Sequence, residues 1–142
     1  MKRVYTIGFT KKSLEEFITR LKKAGVERIV DIRLNDSSQL SGFAKSQDLK
    51  FILKQFNIEY ISVKDLAPDK ALLDKYRKNK DWDTYEVNFK ALMQARNANK
   101  ILSELQLEKK ISCFLCSEEK PNKCHRRLVA EMLGEDFEIA HL

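Results

Sequence analysis

Apolar residues recur along this chain with two alternating periods, one suited to strands and one to helices. Val4-Tyr5-Thr6-Ile7 is a short β-rich run closed by Gly8 and reads as a strand. Ser13-Leu14-Glu15-Glu16 has the spacing of a capping box. Leu14, Phe17, Ile18 and Leu21 follow at i, i+3, i+4 and i+7, marking an amphipathic helix that ends near Gly25. Arg28 to Ile32 reads as a second strand, and Asn35 to Gly42 as a loop rich in Asn, Asp, Ser and Gly. Ser46 is placed to cap a helix striped by Leu49, Ile52, Leu53 and Phe56. Glu59 to Val63 reads as the third strand. Asp69 caps a short helix through Tyr76. Trp82 opens a longer helical stretch with a break at Asn97-Ala98-Asn99. Ile111 to Cys116 is the clearest late strand. Leu128, Val129, Met132 and Leu133 stripe a last helix, and Phe137 to His141 make a final strand.

Strands alternating with helices predict an α/β fold. The expectation is a single small Rossmann-like domain over residues 1–142, with a mostly parallel sheet of about five strands and helices on both faces. Crossovers between parallel strands are expected to be right-handed. A chain of 142 residues fits one domain, and no repeat or linker divides it. No run approaches the roughly 18 apolar residues of a membrane helix, and Val4–Phe9 is too short and polar for a secretion signal. A soluble, cytoplasmic protein with no membrane partner is therefore expected.

Lys and Arg number 27 against 21 Asp and Glu, a formal charge of +6. The cations are interleaved with acids, densest at Lys109-Lys110 and from Lys120 to Arg127. This permits attraction to phosphate and fits a solvated surface equally well. Three cysteines, Cys113, Cys116 and Cys124, are an odd count without a secretion signal, so free thiols are expected.

In an open parallel sheet, ligands bind outside the carboxyl ends of the strands, at a topological switch point. This chain brings there Gly8-Phe9-Thr10, then Asp31 and Arg33, then Cys116, Ser117 and Glu118. Arg33 and Arg126 are candidate anion clamps, because a guanidinium binds phosphate or carboxylate in bidentate fashion. Glu118 is placed for acid or base work. Cys116 is either a small apolar strand residue or a thiol activated by nearby cations. Cys113 reads as core. His125 titrates near neutral pH or is a packed structural histidine. Phe9, Trp82 and Tyr85 either stack a base or belong to the core.

Zinc suits Cys116, Cys124, His125 and His141 as ligand types. The spacing is not C-x2-C, and neighbours on a helix point about 100° apart, so Cys124 and His125 would ligate together awkwardly. The expected site therefore contains no metal. A phosphatase-like loop would need Arg six residues after Cys116, where Asn122 stands, and Glu118 and Glu119 would repel a phosphate within that loop.

Thr6-Ile7-Gly8, Val30-Asp31-Ile32-Arg33, Phe43 before a helix, Trp82-x-x-Tyr85, Leu115-Cys116-Ser117-Glu118 and Cys124-His125-Arg126 together resemble the domain-of-unknown-function family 488. The similarity runs over nearly the whole chain, and the late Cys-x-Glu, Pro-containing loop and Cys-His-Arg are its specific part. The resemblance implies a small cytosolic α/β domain, mostly bacterial or archaeal. Arg33, Cys116, Glu118, Cys124, His125 and Arg126 fall on its motif positions. It brings no established reaction, and the cofactor, if any, is unknown. This chain has Phe9 where the family usually has His, Asp36 where it often has Pro, and Leu66-Ala67 for a Leu-Gly. The Val-Asp-Ile-Arg strand end is also analogous to rhodanese domains, without their cysteine loop.

The leading expectation is an enzyme acting on a nucleotide-like or other phosphorylated, anionic substrate. Cys116, Glu118 and His125 would do the chemistry. Gly8, Asp31, Arg33, Cys124 and Arg126 would hold the substrate, with Asp31 positioning Arg33. The alternatives are a non-catalytic nucleic-acid-binding module and a structural or protein-interaction domain.

Overall fold

Strand sequences this short are stable only when both faces are covered, and the chain covers them with helices drawn from either side of each strand. A computed structural model describes residues 2–35, 42–118 and 120–142. In chain order the elements are β1 (Lys2–Gly8), α1 (Leu14–Lys23), β2 (Arg28–Asp31), α2 (Ser46–Gln55), β3 (Glu59–Ser62), α3 (Lys70–Asn79), α4 (Trp82–Ala95), α5 (Ala98–Glu104), β4 (Ser112–Cys116), α6 (His125–Glu131) and β5 (Phe137–His141).

The strands form one sheet in the order β3-β2-β4-β1-β5, and every pairing is parallel. The α/β expectation with helices on both faces therefore holds, and the sheet is wholly rather than mostly parallel. Alternate strand residues face opposite layers. Val4, Val30 and Phe114 pack with α4, α5 and α6 through Phe89, Met93, Leu102 and Leu128. Tyr5, Ile7, Ile29 and Leu115 pack on the other face with α1 and α2 through Phe17, Leu21, Leu49 and Leu53.

Helix starts follow local chemistry. The Ser13 hydroxyl accepts a hydrogen bond from the Glu16 amide at 3.1 Å, as the capping pattern predicts. Asp69 caps α3 through the Leu72 amide at 2.8 Å. Gly25, at φ 73°, lets the chain leave α1 in the left-handed region. Asn97 occupies the same region at φ 54° and separates α4 from α5. Ser46 departs from expectation: it is the first residue of α2, and Lys45 holds the cap position without a side-chain bond. β2 and β3 each end one residue earlier than expected, and β4 begins one later. Most of the Asn35–Gly42 loop, Asp36 included, lies outside the described residues, as does Glu119.

The strand order creates the switch point. From β1 and β2 the chain crosses toward β3 over the α1 and α2 face. From β3 and β4 it crosses back toward β5 over the other face. The paths leaving β1 and β4 diverge where Gly8 sits level with Cys116. The loop after β4 folds over that point. A Cβ built on Gly8 would overlap the Glu118 carbonyl and lie 2.7 Å from Arg126 Nη1. Glycine is a steric requirement here, because the obstacle is backbone. Gly8→Ala should destabilise the protein by about 3 kcal/mol or more. The shift in urea midpoint checks this, and an unchanged midpoint would mean that the loop moves freely.

Candidate functional site

Between the carboxyl ends of the strands, the C-terminal half of α3 and the first turn of α4 lies a cleft of about 250 Å³. Cys116, Cys124 and His125 line one side of it, and Tyr76, Trp82 and Tyr85 another. Arg77, Lys80 and Lys123 bring positive charge, and Ser117 and Glu118 follow directly from β4. The buried Arg33 also reaches the lining.

The aromatic wall is a product of helix periodicity. Asp81 caps α4 through the Thr84 amide at 3.2 Å, which sets Trp82, Tyr85 and Phe89 at i, i+3 and i+7 on one face. Trp82 and Tyr85 stack at 5.0 Å with 25° between planes, and Tyr85 and Phe89 at 6.0 Å and 14°. Tyr76 leans on Tyr85 from α3 at 5.0 Å. The ladder ends against His125, 5.6 Å from Phe89. Lys80, in the left-handed conformation at φ 55°, ends α3 and turns the chain into α4. Its Nζ stands 6.0 Å from the Tyr76 ring.

Asp31 and Arg33 meet beneath the cleft, as expected. Nε and Nη2 of Arg33 donate to the two Asp31 carboxylate oxygens at 2.9 and 2.7 Å, and both residues are buried. The Arg33 amide donates to the same carboxylate at 3.1 Å, and the Tyr60 hydroxyl at 2.5 Å. The Phe9 ring lies 5.3 Å from the guanidinium. Lys64 donates to the Arg33 and Leu34 carbonyls at 3.0 and 2.8 Å, pinning the chain as it leaves β2.

Arg126 is fully buried. Its Nε donates to the Thr6 hydroxyl at 3.2 Å, and its Nη1 donates to the Glu118 carbonyl. It therefore spans from α6 to β1 and fastens the loop after β4. Gly8, Asp31 and Arg126 lie behind the cleft rather than on its lining. The Glu118 side chain is exposed and does line it.

One expectation is corrected at the cysteines. Cys116 and Cys124 are not free: their sulfurs meet as a disulfide, with Cα atoms 7.7 Å apart. The seven-residue connection doubles back, the Cys124 amide donating to the Pro121 carbonyl at 3.2 Å, so both sulfurs arrive at one place. Cys113 is free and buried, and burial pushes its thiol well above the usual range. The geometric objection to joint ligation by Cys124 and His125 also falls. Cys124 precedes α6 in an extended conformation, φ −142° and ψ 141°, so the helical 100° offset does not apply. Cys116, Cys124 and His125 present ligand atoms that all lie within 4.8 Å of one another. His141 stands apart, its Nδ1 hydrogen-bonded with the Thr6 hydroxyl at 2.5 Å.

His125 Nε2 lies 2.6 Å from the Ile32 carbonyl, an acceptor only, so Nε2 carries the proton and the lone pair is on Nδ1. Burial pushes its pKa down to about 4. The ring is thus neutral at ordinary pH.

Among the cleft residues that the sequence reading missed are Tyr76, Arg77 and Lys80. Their signal was the run from Lys75 to Lys80 at the end of a helix capped by Asp69, whose side chains fold toward β4 only through the turn at Lys80. The fold and site define an α/β protein with a ligand-sized cleft at the switch point of a parallel sheet. The profile of the family described as "Domain of unknown function DUF488" matches residues 13–133, and the chain belongs to that family. No curated protein and no solved structure matches the chain significantly.

Removing one partner of a buried ion pair leaves the other charge uncompensated. Asp31→Ala should therefore cost about 3–5 kcal/mol in chemical denaturation. Adding Arg33→Met to it should recover much of the loss, because the buried charge is then gone. A single variant as stable as wild type would show the pair to be hydrated in solution.

Proposed function

We propose that this protein is an enzyme that binds a small anionic, ring-bearing ligand of nucleotide type in the cleft. The observation that carries this reading is the pairing of an aromatic wall with cations at one opening. Among the described residues Arg77, Lys80 and Lys123 make no ion pair, so their charges are available to a phosphate. Trp82 and Tyr76 offer flat faces beside them, suited to a base or other planar ring. A cleft of about 250 Å³ fits part of a mononucleotide or a phosphorylated small molecule rather than a duplex.

Glu118, exposed at the lining, is the acid or base in this reading. Cys116, Cys124 and His125 form the reactive side opposite the aromatics. Arg33, its hydrogen bonds committed to Asp31, forms a charge-paired floor to the cleft. Arg126 acts as a positioning residue, since it holds the Glu118 carbonyl and hence the start of the acidic loop.

Trp82 is the only tryptophan of the chain and lines the cleft, so its emission reports occupancy directly. A panel of mononucleotides, sugar phosphates and short oligonucleotides should contain mononucleotides that quench or shift that emission saturably. Arg77→Ala and Lys80→Ala should each weaken binding by about tenfold, the equivalent of roughly 1.4 kcal/mol. Emission unchanged across the panel would reject the reading. Binding confined to oligonucleotides, falling steeply with salt, would replace it with a nucleic-acid-binding module.

A further inference from the structure

The geometry points to a zinc site formed by Cys116 Sγ, Cys124 Sγ and His125 Nδ1 in the dithiol form of the protein, with its fourth position open to the cleft. Two pieces of chain deliver these groups: the end of β4, and the entry to α6, where the extended Cys124 precedes His125, the first residue of the helix. The two sulfurs and a ring nitrogen of His125 lie within 4.8 Å of one another. A tetrahedral zinc with Zn–S bonds of about 2.3 Å holds its sulfurs about 3.7 Å apart, well inside that envelope.

The backbone spacing agrees. The Cα atoms of Cys116 and Cys124 are 7.7 Å apart, wider than the roughly 4.4–6.8 Å that disulfides usually span. Two thiolates sharing an ion have room at that separation.

His125 is oriented as ligating histidines are. Its Nε2–H is given to a backbone carbonyl, that of Ile32, at 2.6 Å, which fixes the ring and leaves Nδ1 as the donor to a metal. The Ile32 amide in turn donates to the Leu115 carbonyl at 3.1 Å, so β2 and β4 hold this orienting group rigidly. The Phe89 ring closes on His125 from the core side.

The donor set selects the ion. Two thiolates and an imidazole suit zinc and disfavour magnesium or calcium. Binding releases the two thiol protons, and the two negative sulfurs balance the charge of the dication. The site is then neutral, and the cleft keeps the positive rim that an anionic ligand needs. All three ligands line the cleft, so a water or a ligand atom takes the fourth position, as in open zinc sites. A zinc ion held there would supply Lewis-acid chemistry to an atom in the cleft, whose lining also carries Glu118.

The test uses the full chain, reduced with a phosphine and kept under argon. After equilibration with zinc and dialysis, one zinc per chain is expected by elemental analysis. Cobalt added in its place should give an intense near-ultraviolet thiolate-to-cobalt band. Zinc should protect Cys116 and Cys124 from alkylation, mapped by mass spectrometry. Cys116→Ser and Cys124→Ser should each weaken cobalt binding by more than about tenfold, with Cys113→Ser unaffected. Should the serine variants fail to fold, the wild-type cobalt spectrum and the protection map still decide. No metal uptake by reduced, folded wild type would overturn the inference. So would undiminished uptake in both serine variants, or quantitative reoxidation to the Cys116–Cys124 disulfide in excess zinc, which would make the pair a redox couple. The inference names what stands opposite the aromatic wall of the proposed cleft, yet the two readings fail separately. Trp82 emission reports ligand with or without metal, and cobalt absorption reports metal with or without ligand.

Discussion

Two guanidinium groups are buried under the carboxyl edge of the sheet, and most of what surrounds them exists to compensate that burial. Arg33 and Arg126 are 3% and 0% exposed. An unpaired charge in such a place is too costly to persist, so each must be met by acceptors at short range. Arg33 is met by both carboxylate oxygens of Asp31, itself held by Tyr60. Arg126 is met by the Thr6 hydroxyl and the Glu118 carbonyl, and burial still pushes its pKa below that of a free guanidinium.

The two solutions differ in what they fix. The Asp31–Arg33 pair lies within one turn of chain and sets how the backbone leaves β2. The Arg126 contacts are long-range, joining α6 to β1 and to the loop after β4. Accepting that bond brings the Glu118 carbonyl over Gly8, where any side chain would collide with it. Gly8 is therefore a consequence of burying Arg126. The glycine, the arginine and the loop thus form one unit.

Much of the fold was legible because strand and helix periods are properties of single segments. The runs at Val4, Arg28, Glu59, Ser112 and Phe137 carry their period openly, and the caps at Ser13 and Asp69 act through residues three positions away. The part of the site on strand ends was legible for the same reason: parallel topology sends Gly8, Asp31 and Cys116 to one edge. What could not be read depends on backbone dihedrals at single residues. Cys124 was judged as though helical, whereas its extended conformation turns its sulfur toward Cys116. Lys80 looks like any lysine, and only its left-handed φ folds α3 against α4 so that Tyr76 and Arg77 border the cleft. Arg126 reads from the sequence as a candidate anion clamp. It is instead the fully buried tie between three elements, and no local pattern announces that.

The two sides of the cleft consequently differ in mechanical character. Cys116 and the carbonyl that orients His125 belong to β4 and to the exit of β2, adjacent strands in the middle of the sheet. Little there can move without breaking ladder hydrogen bonds. The cations opposite sit at the end of α3, which buries no residue fully and leans on α4 mainly through Tyr76. Elements with few buried contacts open at low free energy. In the proposed reading, a fixed side faced by a lightly held, positively charged side would capture ligand charge first, through residues able to adjust. The ring would then align against Trp82 and Tyr85 before any group reached Cys116, Cys124 and His125. Because the two sides belong to different elements, substitutions at Arg77 or Lys80 should leave the geometry around Cys116 and His125 intact.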